Sequence, residues 1–319
     1  MMLLCQISRS SNSNSSSSSS KKRRLVTSVY QSATRCQSSG ATVPLHSEVI
    51  PSESSGGDRT TVFLHGLLGN GKNLKTFAKQ VCQATNSAGY LMDLRGHGKS
   101  RLSSSDGPQQ QHSFAACAED VAQATEYIPV TSIVGHSWGG RMALQYAAKI
   151  PSESLQRVWL LDTVPGKANE SVEQVIDTVD QLVTNIQNSS STMDRKQLVQ
   201  ELTKAGLDQG IAMWLASSFD GSDFGFDLSV VHDILPEFAT QDFYGLLDEI
   251  LAKNIRVDLV RGGKNQEWSS GPDGMSTLRE LEEIHKQYPD KFATHVLPKA
   301  GHWIHVDDTK GLVQLFDTK

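Results

Sequence analysis

A mostly parallel, doubly wound α/β sheet with a helical cap insert is the fold this sequence points to, on three observations. From about residue 58, short apolar runs rich in β-branched residues alternate with stretches whose apolar residues recur at helical spacing. The short runs are apolar almost throughout, as strands buried on both faces of a parallel sheet must be. The alternation then breaks between about 167 and 252, where the pattern is mainly helical.

The predicted strands, in order, are TTVFLH (60–65), GYLMDLR (89–95), TSIVGH (131–136), RVWLLD (157–162), IRVDLV (255–260) and FATHVL (292–297). NLKTFAKQVCQAT, FAACAEDVAQATEYI and GGRMALQYAAKI lie between them and read as the crossover helices of βαβ units. The insert holds VEQVIDTVDQLVTNI, DRKQLVQELTKAGL and the aromatic-rich MWLASSFDGSDFGFDL, expected to cap one end of the sheet. The organisation that follows is a tail (1–45), a first core segment (46–166), a cap (167–252) and a second core segment (253–319).

The tail contains SRSSNSNSSSSSSKKRR, which has nothing to bury in a core. Six of the 30 Lys and Arg precede the first acid, Glu48, so the remainder carries 24 basic against 35 acidic residues, a net of −11. A body this acidic argues against a nucleic-acid partner. A Ser-rich, Arg-containing, acid-free leader matches an organelle transit peptide, mitochondrial by preference and plastid as the alternative. No apolar run approaches the ~18 to 20 residues of a transmembrane helix. Cys5, Cys36, Cys82 and Cys117 form no C-x-x-C pair, so neither a disulfide framework nor a zinc site is expected, and a reducing compartment is.

Gly135-His136-Ser137-Trp138-Gly139 is a G-x-S-x-G string between a β-branched strand and a helix, the strand–turn–helix setting in which it places a nucleophilic serine. Side chains at Gly135 or Gly139 would collide with neighbouring backbone in so tight a turn. A serine hydroxyl needs a base. Of the ten histidines, His302 is best placed, just beyond the last strand where ligands bind in open α/β folds, and His305 is next. His136 adjoins the nucleophile and reads as a packing residue.

An acid should orient the histidine. The usual position, after the penultimate strand, holds Asn265. Asp162, ending the strand after the nucleophile's helix, is preferred over Asp233 in the insert and Asp258 within a strand. Two backbone donors should receive the developing oxyanion: the N–H of Trp138 and that of Leu67 in the turn HGLLG. The same turn begins FLHGLLGNGKN, where Gly66, Gly71 and Lys72 imitate a phosphate-binding loop. Asn73 stands where that loop has Ser or Thr, and the Ser–His–acid set favours an oxyanion turn.

FLHGLLGN, DLRGHGKS, GHSWGG, LLDTVPG and AGHWIHVD together resemble the α/β-hydrolase superfamily, from about residue 58 to the C-terminus. Within it, LDTVPG and AGHWIH are similar to the group of YbfF-type esterases and α/β-hydrolase domain-containing 11 proteins. The resemblance implies ester or thioester hydrolysis without a cofactor or metal, on a small-molecule acyl substrate. It implies Ser137 as nucleophile, His302 as base, Leu67 and Trp138 as oxyanion donors, and a cap that sets acyl specificity. It also implies that Asp93, Arg95 and His97 form a structural turn. Trp214, Phe219, Phe224 and Phe226 are candidates to line an acyl pocket. A lyase or C–C bond hydrolase of the menaquinone-synthase type is the alternative, with Arg141 as a carboxylate partner in place of a solvated helix residue. A non-catalytic binding protein is a second alternative. Oligomeric state is not legible.

Overall fold

The computed structural model describes residues 42–53, 59–102, 112–149, 154–167, 171–189, 193–221, 223–268 and 271–317. The serine-rich basic run lies outside them. The chain is anchored from Val43, which is buried and donates its N–H to Asp120 Oδ1 at 2.7 Å.

Seven strands form one sheet in the order β1-β3-β2-β4-β5-β6-β7. They are β1 (Ser47–Ile50), β2 (Thr60–Leu64), β3 (Ala88–Met92), β4 (Val130–His136), β5 (Arg157–Leu161), β6 (Arg256–Gly262) and β7 (Phe292–Leu297). All neighbours pair in parallel except β1, which runs antiparallel to β3. The six predicted strands are present, five within two residues at each end and the second ending at Met92, three residues before the predicted Arg95. β1 was not anticipated, because four residues on a sheet edge are too few to show a period.

Alternate strand residues feed two cores, as the pleat requires. In β4 and β5, Ile133, Val158 and Leu160 enter one; Val134, Trp159 and Leu161 enter the other. The second face is covered by α1 (Lys75–Thr85) and the C-terminal α11 (Thr309–Asp317), which pack on each other. There Trp159 stacks on Phe316 at 3.9 Å between ring centroids. Burial of each such large side chain stabilises the fold by ~2 to 3 kcal/mol.

On the first face lie α2 (Phe114–Ala124) and α3 (Trp138–Lys149). Between β5 and β6 run α4 (Ser171–Ser189), α5 (Arg195–Lys204), α6 (Gln209–Ser217), α7 (Leu228–Thr240) and α8 (Tyr244–Ala252). α8 packs against α3 and β6, as a crossover helix does. α9 (Gly271–Gln287) joins β6 to β7, and the one-turn α10 (Ile304–Asp307) precedes α11. Among the described residues no helix is long and apolar enough to cross a membrane.

Parallel strands carry their connections to one edge. Leu67, Ser137, Asp162, Asn265 and His302 therefore follow the carboxyl ends of β2, β4, β5, β6 and β7, and the topology alone brings them to one side of the sheet.

Candidate active site

Ser137 sits between β4 and α3 with φ of +53°, a left-handed conformation that a non-glycine residue adopts at a cost of ~1 to 3 kcal/mol. Two bonds hold it there: its N–H donates to Leu161 O at 2.9 Å, and its carbonyl accepts from Thr163 Oγ1 at 3.1 Å. The flanking glycines are required by contact. A Cβ at Gly135 would lie 2.2 Å from Gly139 O, and one at Gly139 would lie 2.4 Å from Leu64 O. Strand β4 can thus turn into its helix at this point only without side chains at positions 135 and 139.

Asp162 is also left-handed, at φ +47°, and its side chain is fully buried. His302 Nδ1 donates to its Oδ2 at 2.7 Å. Because a carboxylate can only accept, the proton is on Nδ1, and the neutral ring keeps Nε2 free to take one. The same carboxylate accepts from Gly262 N at 2.7 Å, Trp268 Nε1 at 2.8 Å and Asn265 Nδ2 at 2.5 Å. Asn265, at the position usual for the acid, here holds the acid from the neighbouring strand. Nothing in the residue type signals that role; only the adjacency of β5 and β6 does.

His302 is about a third exposed, at 31%. Burial alone would lower its pKa. The hydrogen bond and charge of Asp162, with Glu267 and Asp307 farther off, outweigh that and leave it raised above 6.5. His136 Nε2 donates to His302 O at 2.9 Å, anchoring the loop that carries His302. His305 is buried on α10, 4.6 Å from the His136 ring, and burial with the charge of His302 pushes its pKa down to about 3. It meets no acid among the described residues. Asp233 is exposed on α7, and Asp258 is engaged elsewhere in the sheet.

The turn after β2 closes with Gly69 N–H on Gly66 O at 3.1 Å and abuts Ser137: a Cβ at Gly66 would lie 3.4 Å from Ser137 Cβ. Among the described residues the N–H groups of Leu67 and Trp138 have no hydrogen-bond partner. Leu68, at φ +63°, donates to His97 Nε2 at 3.1 Å, and His97 Nδ1 donates to Arg95 O. His65 is fixed likewise between Leu94 N and Gly66 O. Burial drives both rings neutral, to about 4 for His65 and about 3 for His97. Arg95 is locked to Asp120 by bonds of 2.6 and 2.8 Å. The DLRGHGKS segment is therefore a brace for this turn. The amides a phosphate would need are taken: Gly71 N donates to Asp93 Oδ1, Lys72 N to Asn70 Oδ1, and Asn70 N to Asn73 Oδ1.

Ser137, Asp162 and His302 line one cavity of about 380 Å³, whose apolar wall is Val164, Val172, Phe238 and part of Tyr244. Trp214, Phe219, Phe224 and Phe226 lie elsewhere. Phe226 bridges to His97 and stacks on Phe224, which pairs in turn with Phe219, so this segment lies against the brace. Trp214 faces Trp303, beside the base. Arg141, expected in solvent, is only 3% exposed and lines the cavity.

Comparison with known proteins agrees with this fold. The family described as alpha/beta hydrolase fold matches residues 61–203. The sn-1-specific diacylglycerol lipase ABHD11 of Danio rerio is 25% identical over 266 residues, 79% of this chain and 75% of the relative. Esterase Rv0045c of Mycobacterium tuberculosis is also 25% identical over 266 residues, 80% of each chain. Among solved structures, a marine microorganism esterase superposes with a TM-score of 0.64 at 20% identity, over 86% of this chain and 98% of that one, a likeness of fold. This chain has the α/β-hydrolase fold and resembles the ABHD11 proteins.

Proposed function

We propose that this protein is a serine hydrolase that cleaves carboxylic ester or thioester bonds through an acyl-enzyme. The observation that carries the proposal is the Asp162–His302 hydrogen bond of 2.7 Å at a cavity that Ser137 shares. The relatives named as a lipase and an esterase agree with chemistry on ester bonds.

In this mechanism Ser137 Oγ attacks the substrate carbonyl while His302 Nε2 takes its proton. Asp162 stabilises the imidazolium and keeps the ring in the correct tautomer. The Leu67 and Trp138 N–H groups receive the oxyanion, each contributing about 10²- to 10³-fold in rate. His302 then protonates the leaving group, and water, deprotonated by the same ring, releases the acid. The helices of 167–252 act as the cap that sets acyl specificity.

The test is hydrolysis of 4-nitrophenyl esters from acetate to palmitate by wild type and Ser137→Ala, with labelling by a fluorophosphonate probe. Loss of both in the variant is expected, with a rate fall of at least ~10⁴. A variant that still labels overturns the assignment. We further propose that residues 1–45 direct import into an organelle, the mitochondrion by preference. A reporter fused to this segment that stays in the cytosol refutes it.

A further inference from the structure

The cavity contains a cation that nothing in the reaction uses. Arg141 lies on α3, four residues past Ser137, so it occupies the same helix face one turn on, about 6 Å along the axis. Its Nη2 donates to Gly166 O at 2.8 Å, and its guanidinium carbon lies 5.2 and 5.3 Å from the Phe238 and Phe243 ring centres. Nη1 has no hydrogen-bond partner, although the side chain is buried. Asp242 and Glu267 act on it only through space. Burial lowers its pKa to about 10, so the group remains charged at neutral pH.

A second unsatisfied donor stands close by. The Tyr244 hydroxyl is buried beside Thr277 without a well-formed hydrogen bond to it, and it lines the same cavity. Gly166 links the two: its carbonyl takes Arg141 Nη2, and a Cβ on it would lie 3.4 Å from the Tyr244 ring. By contrast, the buried guanidinium of Arg95 is satisfied by two bonds to Asp120. An incompletely paired buried cation and an orphaned hydroxyl are each destabilising, and a bound acceptor relieves both.

We propose that Arg141 and Tyr244 form an acyl subsite for a carboxylate, so that the preferred substrates are monoesters or monothioesters of short dicarboxylic acids. This rests on the hydrolase assignment above. A carboxylate one helical turn from the scissile carbonyl accepts from both donors, the guanidinium bond being charge-assisted. Asp242, Glu267 and Glu280 also line the cavity and repel an anion held beside them, and Lys167, the other Lys or Arg of the lining, is exposed, so the buried guanidinium is the favoured place for one carboxylate.

The experiment compares kcat/KM for phenyl hemiglutarate and phenyl pentanoate, by phenol release, in the full chain and in Arg141→Met and Tyr244→Phe. Wild type is expected to favour the hemiglutarate by about 10- to 100-fold, the worth of a charged hydrogen bond. That ratio is expected to vanish in Arg141→Met and to shrink several-fold in Tyr244→Phe. If Arg141→Met does not fold, the wild-type ratio and Tyr244→Phe still decide. Ser137-dependent turnover of the pentanoate equal to or above that of the hemiglutarate overturns the subsite and leaves the hydrolase standing. Turnover of neither ester, with no fluorophosphonate labelling, overturns the hydrolase assignment and the subsite with it.

Discussion

Asp162, just past the end of β5, and Asp258, within the neighbouring β6, both have fully buried side chains, and each meets a histidine, at 2.7 and 2.9 Å. Their surroundings are opposite in kind. Asp258 is gripped by two permanent cations, Arg157 at 2.8 Å and Arg256 at 2.9 and 3.0 Å. Burial would raise its pKa, but His295, Arg256 and Arg157 outweigh that and hold it well below the usual carboxylate range. Among the described residues the other partners of Asp162 are neutral donors: one backbone N–H, one indole and one amide. Its negative charge is shaped but not cancelled. The one cation it can acquire is the imidazolium formed when His302 takes a proton, so its electrostatic attraction is reserved for the charged stage of a reaction. An aspartate–histidine pair is thus a structural clasp or part of a catalytic device according to what else touches the carboxylate.

The largest expected effect exploits this contrast. Asp162→Asn should lower kcat on 4-nitrophenyl acetate by about 10⁴-fold, through the wrong His302 tautomer and an unsupported imidazolium. Asp258→Asn should leave kcat within about twofold, because it touches none of the reacting groups, yet lower the unfolding free energy by ~2 to 3 kcal/mol. That value is below the loss for a wholly buried pair because Arg157 and Arg256 are partly exposed. Urea unfolding and steady-state kinetics on both variants check the pair; a catalytic defect in Asp258→Asn breaks the distinction.

Asn265→Ala comes next. It removes the shortest neutral donor to Asp162 and should reduce kcat about tenfold, the worth of one charge-assisted hydrogen bond, with little change in KM. An unchanged kcat would show that Gly262 and Trp268 suffice to hold the acid.

The two sites should also respond to pH in opposite directions. The pKa of His302 is raised, so its contribution to stability is present below about 6.5 and is lost as pH rises through the folded value. Activity, which needs the neutral ring, should rise across that same window, and Asp162→Asn should move the limb to lower pH. The pKa of Asp258 is depressed, so its contribution is present above about 3.9 and is lost as pH falls below that. Thermal melts from pH 3 to 8 and kcat/KM profiles from pH 5 to 9 separate the two.

Much of the site was legible before any coordinates. Gly135 and Gly139 around Ser137 signal a turn that tolerates no side chain at those two positions, and the clash that a Cβ on either would make with neighbouring backbone is the physical form of that signal. The meeting of Asp162 with His302 was legible because parallel strands deliver their C-terminal loops to one edge, so position along the chain implies position in space. The pocket lining was not. Phe219, Phe224 and Phe226 have the composition of an acyl wall, but bridges to one another and to His97 fold them onto the brace of the oxyanion turn. Arg141 was misplaced for the same reason: in the sequence it is a charged residue in a first helical turn, which is normally solvated.

What the sequence by itself determined is the order of strands and helices, the sharp turn at the serine and the arrival of Asp162 and His302 at one edge of the sheet, because these follow from local periodicity and the directionality of a parallel sheet. The tertiary structure alone decided that Asn265 supports the acid it replaces, that His97 braces Leu68, and that Arg141 and Tyr244 face the cavity with donors unsatisfied. Each of these depends on which distant segments pack together, and a hydrogen bond between residues far apart in the chain leaves no periodic trace in the sequence.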